Sequence, residues 1–493
     1  MYLLGIDLGT SSVKVSVLDA ATQQCIASAS YPETEVEIIA VKPGWAEQSP
    51  DLWWQHIQHA ILKCNASGKY NPLEINAIGI AYQMHGLVLV DKEQNVLRNS
   101  IIWCDSRAVD IGNKAFEAIG AKKCLSHLLN SPGNFTASKL AWVQQNEPDV
   151  YNKIYKVLLP GDFIAMKMTG ECTITASALS EGIFWDFKQN NISTDVLNNF
   201  DFDLQLFPPI QQLFSAHGYL KQSVATKLSL KTGTPVSYKA GDQPNNALSL
   251  NVLEPGEVAT TAGTSGVIYG VSDTLSYDDQ SRINSFAHVN HAEDKNRIGI
   301  LLCINGVGIF NRWIRNIAGE KYTYAALNKA ASAIPPGCNG LFALPFGNGA
   351  ERMLNNKIAG GHFNNLDFNI HTVPHLVRSV QEGIAFSFRY GLDIMRANGI
   401  NPAVVRASKA NMFLSDVFTR SFCNANNVAV EFYEGDGSFG AAIGAGIGAG
   451  IFASAAAVAK NRKPIAIVEP EQTPLYNDLY KEWKALLEKQ LVE

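Results

Sequence analysis

A strand–turn–strand pattern with Gly-Thr-Ser at its turn occurs twice in this chain of 493 residues, and that repetition constrains the fold more than any other feature. Residues 3–7 and 13–19 are apolar-rich runs joined through Gly9-Thr10-Ser11-Ser12, with a third run at 25–31. Residues 257–261 and 267–270 flank Ala262-Gly263-Thr264-Ser265-Gly266 in the same way. The chain is too long for one compact core, so the repeat predicts two α/β domains on one plan, facing each other across a cleft. The boundary falls at 248–255, which divides the chain into residues 1–250 and 251–493.

The remaining pattern fits this reading. Ser49-Pro50-Asp51 starts a helix, followed by Leu52, Trp54, Ile57 and Ile61 at a spacing that shares one buried face. Residues 75–82 and 87–91 read as buried strands, and Gln83-Met84-His85-Gly86 between them is a turn exposing polar side chains at strand ends. The strongest helical stripe runs over 373–396 through Leu376, Val380, Ile384, Phe388, Leu392 and Met395. Leu475, Leu479, Trp483, Leu486 and Leu487 mark a closing helix. Residues 441–459 carry no charge and include Gly444-x-x-x-Gly448, which raises a membrane helix. Gly, Ala and Ser gain little in lipid, however, so close helix packing inside a soluble domain is the reading adopted.

Charge and cysteine usage exclude other classes. The net charge is -5, and Lys and Arg form no block or stripe that would favour a nucleic-acid partner. Eight cysteines lie scattered without a C-x-x-C pair, and the chain opens on a strand with no basic leader. Both points predict a reduced, cytoplasmic setting without a membrane span. His56 with His59 and His288 with His291 have no third metal ligand nearby in sequence and read as helix-surface or sheet-edge residues.

Gly5-Ile6-Asp7-Leu8-Gly9-Thr10-Ser11-Ser12-x-Lys14 sets a carboxylate at a strand end before a turn of small residues with free N–H groups. Such a turn can wrap phosphate oxygens, and Asp7 can hold Mg²⁺ through water; a hairpin capped by Asp7 is the plain alternative. Gly263-Thr264-Ser265-Gly266 would close on the same phosphates from the other domain, or is an ordinary hairpin. Ala240-Gly241-Asp242-Gln243-Pro244-Asn245-Asn246 puts a carboxylate and an amide at the end of an apolar run. An aspartate there can take the proton of an attacking hydroxyl in phosphoryl transfer, or can simply form an Asx turn before a helix.

Together with Gly44-Trp45-Ala46-Glu47-Gln48, Gln83-Met84-His85-Gly86, Trp103-Cys104-Asp105-Ser106-Arg107 and Leu158-Leu159-Pro160-Gly161-Asp162, these segments resemble the FGGY family of carbohydrate kinases over nearly the whole chain. Within it they are most similar to the xylulokinase branch. The resemblance implies two ribonuclease H-like domains of the actin-like ATPase kind, with the sugar, ATP and Mg²⁺ in the cleft. The first domain would bind the sugar and carry the base, the second would bind the nucleotide, and a homodimer is a family-level expectation. By position, Asp242 would be the proton acceptor and Asp7 would organise Mg²⁺. Thr10, Ser11, Ser12, Lys14, Gly263 and Thr264 would meet the phosphates. Gln83, Met84 and His85 would face the sugar, where glycerol kinases carry an Arg-Glu pair. Trp103 and Asp105 would border the same pocket, and Gln243 would stand beside the base. Gly308, Ala407, Ser408 and Asn411 fall at the nucleotide. Relatives usually carry Gly-Gly-Gly or Gly-Gly-Ala where this chain has Ala407-Ser408-Lys409, a change that bears on ATP affinity and sets Lys409 where it can meet phosphate charge.

The expected reaction is phosphorylation of D-xylulose by ATP to D-xylulose 5-phosphate. The alternatives are a sister kinase for ribulose, gluconate, glycerol or a deoxyketose, and a non-catalytic sugar sensor or actin-like scaffold. Asp242 argues against the last pair, because neither needs a base.

Overall fold

Tyr2–Leu8 is buried along most of its length because it is paired on both sides, antiparallel to Val13–Asp19 and parallel to Ile75–Tyr82. The computed structural model describes residues 1–319, 322–471 and 474–492. Its first sheet has five strands in the order Val236–Gly241, Ile75–Tyr82, Tyr2–Leu8, Val13–Asp19 and Cys25–Tyr31.

The second sheet repeats that order. Its inner strands run Ile298–Ile304, Gly266–Ser272, Val258–Ala262, Val404–Ser408 and Ala429–Tyr433, so both sheets follow the sequence order third, second, first, fourth, fifth. Asn284–Ala287 and Ala466–Val468 extend its two edges. In each copy the fifth strand feeds a helix, Asp242–Ser249 in the first and Gly437–Gly448 in the second. This is the doubled ribonuclease H-like arrangement of the actin-like ATPases.

The uncharged run is packing, as its composition implied. Helix Gly437–Gly448 lies on the first sheet so closely that side chains are excluded at the contact. A Cβ on Gly5 would lie 1.8 Å from the Ser438 carbonyl oxygen, one on Gly79 2.0 Å from that of Ala441, and one on Gly444 2.4 Å from the Tyr238 ring. Among the described residues no helix is long and apolar enough to cross a membrane.

Helix Pro50–Asn65 begins at Ser49, whose hydroxyl accepts from Leu52 N–H at 3.4 Å. Its buried face is Trp53, Ile57, Ile61 and Cys64, which keeps Ile57 and Ile61 of the predicted stripe and takes Trp53 in place of the half-buried Leu52 and Trp54. The cause is polar: Trp53 Nε1 donates to Gln48 Oε1 at 3.0 Å, which draws that indole inward. The long helix spans Val373–Ala397 and the closing one Leu475–Val492, where Trp483 and Leu487 are buried. The histidine pairs are structural: His59 stacks on Tyr31 at 4.7 Å, and buried His288 is bonded to Tyr269 Oη and the Val252 carbonyl. All eight cysteines are free thiols.

Candidate active site

The strand ends of the first sheet bring Asp7 and Asp242 together. Asp7 stands near the end of Tyr2–Leu8, and Asp242 opens the helix after Val236–Gly241. A third carboxylate joins them from the second domain. Asp436 caps helix Gly437–Gly448, accepting from Phe439 N–H at 3.0 Å and Ser438 Oγ at 2.7 Å. The helix start comes so near that a Cβ on Gly437 would sit 2.2 Å from Asp7 Oδ2.

Burial pushes Asp7 up to about 7, with further upward push from the negative charges of Asp242 and Asp436 and an opposing pull from Lys14. Burial likewise raises Asp242 to about 6, against hydrogen bonds from Gln243 that favour its ionised form. Asp436 is also raised by burial, but its bond to Lys14 and those from Phe439 and Ser438 outweigh this and leave it below the usual carboxylate range. Lys14, expected beside the phosphates, is ion-paired with Asp436. Asp436 escaped sequence reading, although the repeat pointed to it. It follows the second copy's fifth strand as Asp242 follows the first copy's.

The first Gly-Thr-Ser turn is tied to the segments expected around the sugar. Thr10 Oγ1 donates to Gln83 Oε1 at 3.2 Å and accepts from Trp103 Nε1 at 2.9 Å. Gln48, part of the Gly44 to Gln48 segment but given no site role from sequence, donates to the Thr10 carbonyl at 2.8 Å and accepts from Gln83 Nε2 at 3.1 Å. Ser12 closes the turn by accepting from Gly9 N–H at 3.1 Å, while Ser11 is exposed. Trp103 is 51% exposed, so its indole is not part of the core. Met84 is buried where Gly241 ends its strand, and a Cβ there would lie 2.7 Å from Met84 Cγ and 2.6 Å from the buried carboxyl of Glu181.

His85 holds a positive φ of 63°, a backbone region that non-glycine residues seldom occupy. Burial, then the Lys139 charge, lower its pKa to about 3, so the imidazole is neutral. Its Nδ1 lies 2.9 Å from the Glu181 main-chain oxygen. A carbonyl only accepts, so Nδ1 carries the proton and Nε2 is left as an acceptor.

Two expected site residues stand elsewhere. Asp105 is wholly buried, and its carboxylate is consumed by Arg107 and the Ala46 N–H. It braces the loop that carries Trp103 and does not face a sugar. Ala407 is also 0% exposed, inside Val404–Ser408 between Val258–Ala262 and Ala429–Tyr433. Its methyl belongs to the core. Ser408 Oγ donates to the Gly435 carbonyl at 2.9 Å, and Lys409 beyond it is exposed.

On the second domain a cavity of about 340 Å³ is lined by Gly263, Thr264, Gly308, Asn311, Asn328 and Asn411, among others. The second Gly-Thr-Ser turn is seated on the start of helix Gly308–Ala318, since Gly308 N–H donates to the Gly263 carbonyl at 2.8 Å and Ile309 N–H to that of Thr264 at 3.2 Å. A Cβ at Gly308 would lie 2.3 Å from the Gly263 oxygen, so the contact requires glycine.

A doubled fold with acid groups at the cleft and small-residue turns from both domains defines a phosphotransferase of the carbohydrate-kinase class. The model for the N-terminal domain of the FGGY family of carbohydrate kinases matches residues 2–249, and that for the C-terminal domain matches 258–449. The chain belongs to the FGGY family of carbohydrate kinases. It is 30% identical over 406 residues to the xylulose kinase of Escherichia coli K12, covering 82% of this chain and 81% of that protein. A solved "xyloylose kinase" structure from Brucella ovis superposes with a TM-score of 0.87 at 27% identity, over 99% of this chain and 98% of that one. The gluconate kinase structure from Lactobacillus acidophilus has a TM-score of 0.89 at 21% identity over 99% of this chain and 98% of that one, a likeness of fold alone.

Proposed function

We propose that this carbohydrate kinase transfers the γ-phosphoryl group of ATP to the terminal hydroxyl of a five-carbon ketose, D-xylulose, giving D-xylulose 5-phosphate and ADP. The observation that carries the reading is Asp242, a carboxylate raised to about 6 that follows Gly241, the strand end packed on Met84, and lies in the field of Asp7. A base with that pKa is ionised at neutral pH and still basic enough to take a proton in the transition state.

In this mechanism Asp242 accepts the hydroxyl proton as the sugar oxygen forms its bond to the γ-phosphorus and the bond to the β,γ-bridging oxygen breaks, releasing ADP. His85 Nε2 accepts from a sugar hydroxyl, and Trp103 and Gln83 bound the sugar while holding Thr10. Gly263, Thr264, Gly308 and Asn411 cradle the nucleotide, and Gly9 to Ser12 meet the phosphates from the opposite side. The donor set suits a hard divalent cation: two carboxylates press on Asp7, and the nearby Lys14 is already paired with Asp436. Among the described residues no group of three or more His, Cys, Asp or Glu forms a ready-made metal site. Mg²⁺ takes most of its ligands from water and phosphate. Asp7 would hold it, and bound there it would neutralise charge on the phosphates.

Coupled ADP-release assays over D-xylulose, D-ribulose, gluconate and glycerol test the substrate. D-xylulose should give the highest kcat/KM. A tenfold preference for any of the others contradicts the assignment and moves the chain to a sister specificity.

A further inference from the structure

Lys139, on the helix Thr136–Asn146, has 0% of its surface exposed. Its Nζ donates to the His85 carbonyl at 2.9 Å and to the Ile102 carbonyl at 3.0 Å. Among the described residues it has no carboxylate partner, because Asp105, the acid that attracts it, is committed to Arg107. Burying an ammonium on two neutral oxygens is costly, and burial lowers its pKa to about 7. An apolar side chain would fill the space without that cost. What it would not supply is a donor for two main-chain oxygens turned inward from two loops. One loop is the turn carrying Gln83, Met84 and His85, and the other runs from Ile102 into Trp103. The same helix presses on the first loop a second time, because Phe135 at its start packs edge-on against the His85 ring at 4.8 Å.

We infer that Lys139 is a positioning residue for the ketose: it ties the His85 and Trp103 loops together from behind and sets the spacing at which both reach the sugar. The inference rests on the proposal that these two loops form the sugar half of the site. Lys139 touches neither substrate, so its effect is on sugar affinity and not on the nucleotide.

The test compares Lys139→Met, Lys139→Gln and His85→Ala with the full-length wild-type chain, measuring KM for D-xylulose and for ATP, calorimetric Kd for D-xylulose, and Tm. Lys139→Met leaves two buried carbonyls without a donor, so KM and Kd for D-xylulose should rise together by about 10- to 100-fold, with KM for ATP within about twofold of wild type. Lys139→Gln keeps a donor for one carbonyl and should fall between the two; it decides the matter if the Met variant does not fold. A folded Met or Gln variant with a lowered Tm but wild-type sugar KM and Kd overturns the inference and leaves Lys139 a purely structural residue. Sugar constants raised in His85→Ala but not in the Lys139 variants overturn the positioning role alone. Wild-type sugar constants in His85→Ala overturn the sugar-half reading together with it.

Discussion

His85 is oriented before any sugar arrives, by the Glu181 carbonyl on Nδ1, two aromatic neighbours and Lys139 at its own carbonyl. His85→Ala removes the free acceptor and should lower kcat/KM for the ketose by about 10- to 100-fold while leaving ATP binding intact, measured by steady-state kinetics on each substrate. Asp242 carries the pH dependence. Its pKa is raised from 3.8 to about 6, so kcat/KM should fall as pH drops through about 6, where the base becomes protonated. The same shift acts on stability with a definite sign. The folded chain binds this proton more tightly than the unfolded one, so its contribution is fully present below 3.8 and is lost as pH rises through about 6. Asp242→Asn should therefore raise Tm at pH 8 and leave it unchanged at pH 4 in thermal scans. Lys409 is exposed, two residues before Asn411, which lines the cavity. Lys409→Gly should raise KM for ATP more than KM for the sugar, and no change in either makes it a bystander. At this scale the motifs singled out Asp7, Asp242 and His85, and the fold brings Asp7 into the field of Asp242 at neighbouring strand ends. For Asp105 and Ala407 the motif fixes a residue's place along the chain and not which way its side chain turns. The guanidinium of Arg107 claims Asp105, and strand alternation turns Ala407 into the core.

Strand and helix periods were legible where burial is one-sided or complete. Val13–Asp19, Cys25–Tyr31 and Ile75–Tyr82 run as their apolar patterns predicted, since backbone pairing leaves those residues no other face to bury. The helix after Ser49 was legible in position and at Ile57 and Ile61, but not in its first turn, where Trp53, bonded to Gln48, is buried in place of Trp54. The small-residue run at 441–459 was legible as packing but not in its partner, which is the sheet of the other domain. That contact makes a prediction at the level of elements. Gly79→Ala would drive a Cβ to 2.0 Å from the Ala441 carbonyl oxygen and 3.1 Å from Ala445 Cβ. Overpacking of this kind costs about 1–3 kcal/mol, so the urea midpoint should drop with little change in slope. An unchanged midpoint contradicts the close seating of helix Gly437–Gly448 on the sheet.

At the scale of the molecule, duplication is what makes the chemistry available. Each copy of the fold carries a Gly-Thr-Ser turn in its first hairpin and an aspartate beyond its fifth strand, near a helix start. Asp436 reaches the field of Asp7 because helix Gly437–Gly448 of the second copy lies on the sheet of the first. The repeat, which can be read in the sequence, thus predicts the geometry of the site better than any single motif within it. The central claim is that Asp242 is the base of a ketose kinase. It is tested most directly by the kcat of Asp242→Asn on D-xylulose and ATP, with binding of both ligands confirmed by calorimetry. Asparagine keeps the size and much of the hydrogen bonding but takes no proton, so kcat should fall by about 10²- to 10⁴-fold while both ligands still bind. A folded, ligand-binding Asp242→Asn variant that turns over at a near-wild-type rate would contradict the account.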